Sequence, residues 1–547
     1  MRRSLGGLAL AALMVLPTGV ASAQDGTDDS VTITRFAEFA PAFHPVEAQS
    51  NQYMLFYVLF DTLVTLDLSD TKLQTIAPDL ADSWTVSPDA TTFTFNLHHD
   101  VTWHDGEPFT AADVVYTATW AAQNRSAYIG FSPAWWDIKG AAEIEGTTDP
   151  LEGVKAIDDY TVEFTLAAPN ALFLRNLADA PSSIMPEHVL GGMTADEINQ
   201  SEFKTSKPIG TGPYSMVSVQ PDQYVEFAAN PSYFKGAPNI EHLFYKAITP
   251  ETALAQLETG ELDIALNVGA ANRERLQAVP SLNVQVVSSP GIFNLLPVDD
   301  TPDVRERLGL PPVNFDFTDK RVRQAMYYAI DRRAINDAIY GGANRILWNP
   351  PGFKEYEGLD EYPFDPEKAK ALLAESGVDR SKPIHFLYAN ELGDGQRIAP
   401  IVAQQLQDVG FTVELNGVDI TAWEAIVTDD TQRASWDMTF SAGGSEGLHP
   451  SRSQIYFKCG DELPTSQTGY YDCELRQWFE EARTKGDPAE ADAIYEQIAR
   501  KLNDQVPQLY LWQNSGVHAV NKRIEGVQVP AFERYVTMNV EDWSVAG

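Results

Sequence analysis

Apolar and polar residues alternate along Thr91-Thr-Phe93-Thr-Phe95-Asn-Leu97, and again along Leu80-Ala-Asp-Ser-Trp84-Thr-Val86. A period of two buries one face of each run, and the turn-forming Ser87-Pro88-Asp89-Ala90 lies between them, so the pattern predicts an antiparallel hairpin. Val101-Thr-Trp103 reads as another short strand, closed by Asp105-Gly106. The period then changes. Thr110 is placed to cap a helix, Asp113 is its capping-box partner, and Val114, Val115 and Ala118 run along one face. Similar switches recur down the chain. Val31 to Thr34 and the pair of runs within 154–166 read as strands, and Tyr53 to Leu66 as a buried helix entering a strand. Thr249-Pro250 opens a helix that Gly260 ends, before a strand at 261–265. Val322, Met326, Ala329 and Ile330 keep helical spacing; Asp365 to Gly377 and Ile398 to Gly410 are bounded helices, the second followed by strand 411–415. Strand-like runs at Trp436 to Phe440 and Leu509 to Trp512 follow. Helices and strands alternating over the second half indicate an α/β lobe.

The N-terminus departs from this pattern. Met1-Arg2-Arg3, an apolar run from Leu5 to Leu16 and the small residues Ala21-Ser22-Ala23 make a secretory signal peptide cleaved before Gln24. No Cys follows the cleavage point and no later run is apolar enough to span a bilayer, so the expectation is a soluble periplasmic protein without a lipid anchor. The 547 residues, 44% hydrophobic and 21% charged, suffice for two or three domains. A net charge of −38 argues against nucleic acid or an anionic membrane surface as partner, and suits a solubility or salt adaptation. Cys459 and Cys473, the two cysteines, are expected to form a disulfide in an oxidising compartment. The nucleotide-binding pattern G-x-x-x-x-G-K-[ST] does not occur.

Leu80-Ala-Asp-Ser-Trp84, Trp103-His104-Asp105-Gly106-Glu-Pro-Phe109-Thr110 and Ala112-Asp113-Val114-Val115 together resemble the signature of the family 5 extracytoplasmic solute-binding proteins, the peptide, nickel and oligosaccharide receptors of ABC importers. Pro208-Ile-Gly210-Thr-Gly212-Pro-Tyr214 and Asp319-Lys-Arg321-Val-Arg323-Gln-Ala325 resemble further landmarks of that family. The resemblance implies an α/β, two-lobed periplasmic binding protein (a Venus flytrap) with mixed sheets and an extra small domain inserted in the first lobe. Its expected divisions are signal peptide 1–23, first lobe 24–68 and 204–287, inserted domain 69–203, second lobe 288–515 and a return to the first lobe at 516–547. It implies no enzyme and no cofactor. The expected role is capture of a peptide-like or oligosaccharide solute by a monomer, which delivers it to an ABC permease powered by a separate ATPase.

Gly443-Gly444-Ser445-Glu446-Gly447 fits G-x-S-x-G, so an exported serine hydrolase using Ser445 is the alternative reading. An elbow of that kind leads straight into a helix, whereas Leu448-His449-Pro450 extends the loop. In the resembling family this turn faces the cleft, and its peptide-binding members carry an aspartate there. Here Gly443, Gly444 and Ser445 occupy the turn, with Glu446 as the nearest acid able to hold an ammonium. His98-His99 and His104-Asp105 look like metal ligands, yet strand neighbours point to opposite faces, and no metal site is expected. Phe43 and His44 in an aromatic loop, Phe293-Asn294, Trp348-Asn349, Trp423 and His449 are the remaining candidate ligand contacts. Trp84, Trp103 and Trp120 are assigned to the scaffold.

Overall fold

The structure, a computed structural model, describes residues 29–34, 43–45, 53–70, 73, 75–125, 132–350, 352–443, 449–460, 470–485 and 488–546. The alternating segment folds as its period dictates. Ala81–Val86 and Thr92–Leu97 pair antiparallel, with Trp84 opposite Phe95. Thr161–Thr165 and Val154–Asp158 complete a four-stranded sheet. Phe93, Phe95, Val162 and Phe164 form its buried face. Helix Ala111–Gln123 packs on this sheet, and both halves of its capping box are made. Ala112 N–H donates to Thr110 Oγ1 at 3.3 Å, and Thr110 N–H donates to Asp113 Oδ2 at 3.0 Å.

A second, larger sheet runs through both lobes. Its strand order is Thr412–Val418, Pro383–Ala389, Met438–Gly443, Leu282–Pro297, Leu509–Asn521, Ile264–Ala265, Ser30–Thr34, His242–Lys246, Tyr224–Ala229 and Tyr214–Gln220, with Arg345–Ile346 attached to Leu509–Asn521. Ser30–Thr34 pairs parallel with His242–Lys246, and Pro383–Ala389 with Thr412–Val418; each pair is joined through intervening helices, as parallel strands require. Leu282–Pro297 and Leu509–Asn521 are the longest strands of this sheet, and they hold the two ends together. Residues 282–288 face 515–521, beside the Ile264–Ala265 strand of the first lobe. Residues 292–295 face 509–513 on one side, and 292–297 face 438–443 of the second lobe on the other. The register shifts between Ser288 and Ile292, where the pair passes from one lobe to the other. Each lobe has its own core: Phe56, Trp103, Trp135 and Tyr535 belong to the first, Phe293, Phe386, Phe440 and Trp512 to the second.

Two strand expectations differ from the structure. At 261–265 only Ile264–Ala265 pairs, and the run from Leu509 continues to Asn521. Leu282–Pro297 was illegible as one strand because Ser288-Ser289-Pro290-Gly291 interrupts it with residues that elsewhere mark a turn. Cys459 and Cys473 are joined in a disulfide. Residues 1–23 lie outside the described residues.

Candidate ligand-binding site

The signature residues that looked chemical are fasteners. Gly210 N–H donates to His104 Nδ1 at 3.1 Å, which makes Nδ1 the acceptor and leaves the proton on Nε2. Nε2 faces the Gly212 carbonyl at 3.0 Å. His104 thus ties the Trp103–Thr110 turn to the Gly210–Gly212 turn, joining two landmarks far apart in sequence. Burial holds its pKa down at about 4, so the ring is neutral. A Cβ on Gly210 would lie 1.8 Å from the Leu59 carbonyl oxygen, and one on Gly212 2.5 Å from the Leu59 carbonyl carbon. Only glycine fits at either position.

Thr211, between those glycines, donates to Asp61 Oδ2 at 2.8 Å, and the Tyr233 hydroxyl donates to Asp61 Oδ1 at 2.8 Å. Lys235 Nζ reaches Asp79 Oδ1 at 2.5 Å and Asp61 Oδ1 at 3.8 Å. Burial, then the neighbouring Asp79, push the Asp61 pKa up to about 6 against the pull of Lys235. Glu541 is raised to about 7, by burial foremost. This cluster is internal framework. His98 and His99 diverge as adjacent residues should, His98 toward Phe234 and His99 stacked on Tyr160 at 4.1 Å. Among the described residues no group of three or more His, Cys, Asp or Glu is placed to hold a metal.

A cavity of about 330 Å³ lies between residues 76 and 171–175 on one side and residues 352–354, 449–450 and 482–495 on the other. One wall is Ile76, Ala171, Leu172, Leu174 and Arg175, the last four from the turn and helix after strand Thr161–Thr165. The other wall comes from Gly352, Lys354, His449, Pro450, Lys485 and two helices, Cys473–Arg483 and Pro488–Gln505, which contribute Ala482, Asp492 and Tyr495. The walls touch at the rim. Ala171 N–H donates to the Arg483 carbonyl at 3.1 Å, and Arg483 Nη1 lies 3.5 Å from Asp137 Oδ1. The lining is mainly apolar with a few polar groups, the usual make-up of a small-molecule site.

The expected contact residues divide. His449 lines the cavity, with its ring edge-on to Tyr495 at 5.4 Å. Trp348 and Asn349 line a small recess that shares Lys354 with the cavity, and Asn349 Oδ1 is buried without a hydrogen bond. Five others are not brought there. Phe43 and His44 are buried in the first core, His44 against Trp120 at 5.0 Å and Phe203 at 6.3 Å, and burial lowers its pKa to about 3. Phe293 is packed between Phe440 and Trp512. Asn294 Nδ2 donates to Gln508 Oε1 at 3.0 Å inside the sheet. Trp423 is buried, its indole N–H on Thr439 Oγ1 at 2.8 Å. Each sits in a strand, helix or loop whose apolar side the core claims first. Gly443 ends its strand opposite Ile292, while Gly444, Ser445 and Glu446 lie outside the described residues.

Arg175, Lys354, Lys485 and Tyr495 escaped the sequence reading. Arg175 alone left a signal, a single cation inside the apolar run Leu172-Phe-Leu-Arg-Asn-Leu177. The lysines stand in ordinary charged surface sequence.

Two α/β lobes sharing two long strands, with a cavity between residues 76–175 and 352–495, have the layout of a two-lobed binding protein. The chain belongs to the bacterial extracellular solute-binding proteins of family 5: the description "Bacterial extracellular solute-binding proteins, family 5 Middle" matches residues 75–462. It is similar to the oligopeptide-binding protein AppA of Bacillus subtilis, 27% identical over 88% of this chain and 86% of that one. It is similar as well to the dipeptide-binding protein of Escherichia coli, 26% identical over 88% of each. The crystal structure of the ABC transporter substrate-binding protein CtaP of Listeria monocytogenes shares the fold, with TM-score 0.77 and 23% identity over 95% of this chain and 99% of that one. This family gives the serine-hydrolase alternative at Ser445 no support. Among the described residues no helix is long and apolar enough to cross a membrane.

Proposed function

We propose that this chain is the receptor of an ABC importer that takes a short peptide-like solute in the periplasm, after export by signal peptide 1–23. The solute is held between the first lobe with its insert and the second lobe, 288–515, and is passed to a transmembrane permease driven by a separate ATPase. The observation that carries this reading is the cavity of about 330 Å³ walled by both lobes. That volume lies at the small end of ligand pockets, about 300–1,000 Å³, and suits a solute of a few residues rather than a long polymer. The peptide-binding relatives in Bacillus subtilis and Escherichia coli support the peptide class. Trp348, Asn349 and His449 border the solute in this reading. The lobes turn about the register shift at 288–292, and ligand favours the closed arrangement because it touches both walls only there.

Isothermal titration of the purified mature protein with di- to tetrapeptides and with oligosaccharides tests this. Saturable binding of peptides, with a negative heat-capacity change from apolar burial, is the expected result. Binding of glycans with silence from every peptide would overturn the peptide class and leave the receptor role standing.

A further inference from the structure

Trp348 stands apart from the other tryptophans. Of the eleven in the chain, ten pack into one of the apolar clusters, and Trp348 belongs to none. Among the described residues, no hydrogen bond holds its indole N–H and no other ring stacks on it. Its backbone, by contrast, is fixed. Arg345 and Ile346 pair with Gln513 and Trp512, and the Tyr327 hydroxyl donates to the Leu347 carbonyl at 3.0 Å. Asn503 Nδ2 donates to the Trp348 carbonyl at 2.9 Å. A half-buried side chain on a pinned backbone can change rotamer while the chain around it stays in place.

Hollow space adjoins this side chain twice. The recess that shares Lys354 with the cavity has about 20 Å³, room for one water molecule and for no side chain. A second pocket, of about 120 Å³, is lined by Ile330, Tyr362, Pro363 and Phe364. Trp348 and Ile346 are the residues common to both. The pocket is comparable with the roughly 150 Å³ that accommodates benzene, and Phe364, 48% exposed, lies at its rim. Two of its charged residues are already committed: Arg332 Nη2 donates to the Glu361 and Tyr362 carbonyls at 2.7 Å, and Asp331 accepts from the Ala334 N–H at 3.0 Å. A guanidinium is also a favourable neighbour for an indole face.

We propose that Trp348 sets the size of side chain that the receptor accepts. Its indole swings into the 120 Å³ pocket when a solute with a bulky apolar side chain arrives, and that side chain takes the space the ring vacates beside the recess. This rests on the peptide reading above and deepens it. Moving the ring also opens the way to Asn349, whose Oδ1 is buried without a hydrogen bond and lacks a donor such as a peptide N–H. An alanine in the solute leaves the ring where it is, whereas a leucine gains the burial of its isobutyl group.

Ala-Ala-Ala, Leu-Ala-Ala, Ala-Leu-Ala and Ala-Ala-Leu, titrated calorimetrically into the mature protein, test this. One leucine position is expected to bind roughly tenfold more tightly than Ala-Ala-Ala, the size of effect that burying one such side chain produces. Phe364→Glu, at an exposed site, places a charge where the displaced indole would rest, and is expected to cut that preference roughly threefold or more. In Trp348→Ala, with no ring to move, the preference should persist and Phe364→Glu should not change it further. Fluorine NMR of protein labelled with 5-fluorotryptophan gives an independent readout. The resonance missing from Trp348→Phe should move with the preferred leucine peptide far more than with Ala-Ala-Ala. Absence of a leucine preference, a preference untouched by Phe364→Glu, an equal effect of Phe364→Glu with and without Trp348, or an unmoved Trp348 resonance overturns the proposal while the peptide reading stands. Silence from all four peptides removes both readings.

Discussion

Arg483 and Asp137 meet beside the cavity, Nη1 to Oδ1 at 3.5 Å, one from the end of helix Cys473–Arg483 and one from the chain ahead of strand Val154–Asp158. Asn170 Nδ2 also donates to Asp137, at 2.7 Å, and the next residue, Ala171, gives its N–H to the Arg483 carbonyl. The rim is therefore held by an ion pair and a backbone hydrogen bond that exist only while the walls are together. Both side chains are about a quarter exposed, so the pair contributes modestly, about 0.2–1 kcal/mol. Arg483→Ala should raise the radius of gyration of the unliganded protein in X-ray scattering and leave its melting temperature nearly unchanged. An unaltered radius would show that the pair does not hold the lobes together.

Removing the His104 ring should cost more than its location in a turn suggests. His104→Ala deletes both ring contacts to the 210–212 turn and leaves the Gly210 N–H without an acceptor, so a loss of about 2–3 kcal/mol is expected in urea unfolding. The pH dependence carries a sign. The folded pKa, about 4, lies below the usual 6.5, so this stabilisation is present above pH 6.5 and is lost as pH falls toward 4. The variant should therefore lose less stability than the parent between pH 6.5 and 4. Identical slopes would refute the assignment.

How much of this was legible beforehand follows from the kind of signal each feature leaves. The hairpin at 81–97, the Thr110 cap and the Thr249 to Gly260 helix rest on local periodicity and capping, which a sequence displays directly. The two-lobed arrangement came from the resemblance carried by those same motifs. The cavity did not follow, because its walls come from widely separated sequence positions, Leu172 and Ala482 among them. Aromatic residues were overvalued as contacts: Phe293 and Trp423 carry the same side chains whether they face a ligand or a core, and here strand and helix phase turn them inward. Trp348 and His449 are in irregular chain, where no period directs them to a core, and they reach the recess and the cavity.

Lys235 is the cation among Asp61, Asp79 and Glu541. Lys235→Met should destabilise the protein by about 3 kcal/mol near pH 8, because two buried carboxylates lose their counter-charge. The folded pKa values of Asp61 and Glu541 are raised above their ordinary ones, to about 6 and about 7. Their contribution to stability is thus complete at acid pH and is lost as pH rises through those values. The defect of the variant should shrink as pH is lowered from 8 to 5, in thermal melts of both proteins recorded side by side. A defect independent of pH would mean that the acids do not titrate as a group with Lys235.

Cys459 and Cys473, 14 residues apart, anchor the start of the helix that carries Ala482 and Arg483. Closing a loop of that length is worth about 3 kcal/mol on the chain-entropy account. The double Cys→Ser variant should melt lower and be insensitive to dithiothreitol, while the parent should fall to the same temperature on reduction. A parent unaffected by reduction would show that the bridge adds nothing to stability.

The long strands Leu282–Pro297 and Leu509–Asn521 have a mechanical consequence. Lobes tied by loose linkers can swing through wide arcs, but these two share one hydrogen-bonded ladder. Such a ladder behaves as a leaf spring: it resists bending along most of its length and yields where its rungs are already missing, between Ser288 and Ile292. Closure on a solute, as proposed above, would then take place at that one joint. Side chains lining the walls can be exchanged for a different cargo while the spring, and the surface it offers in its flexed form, stays the same.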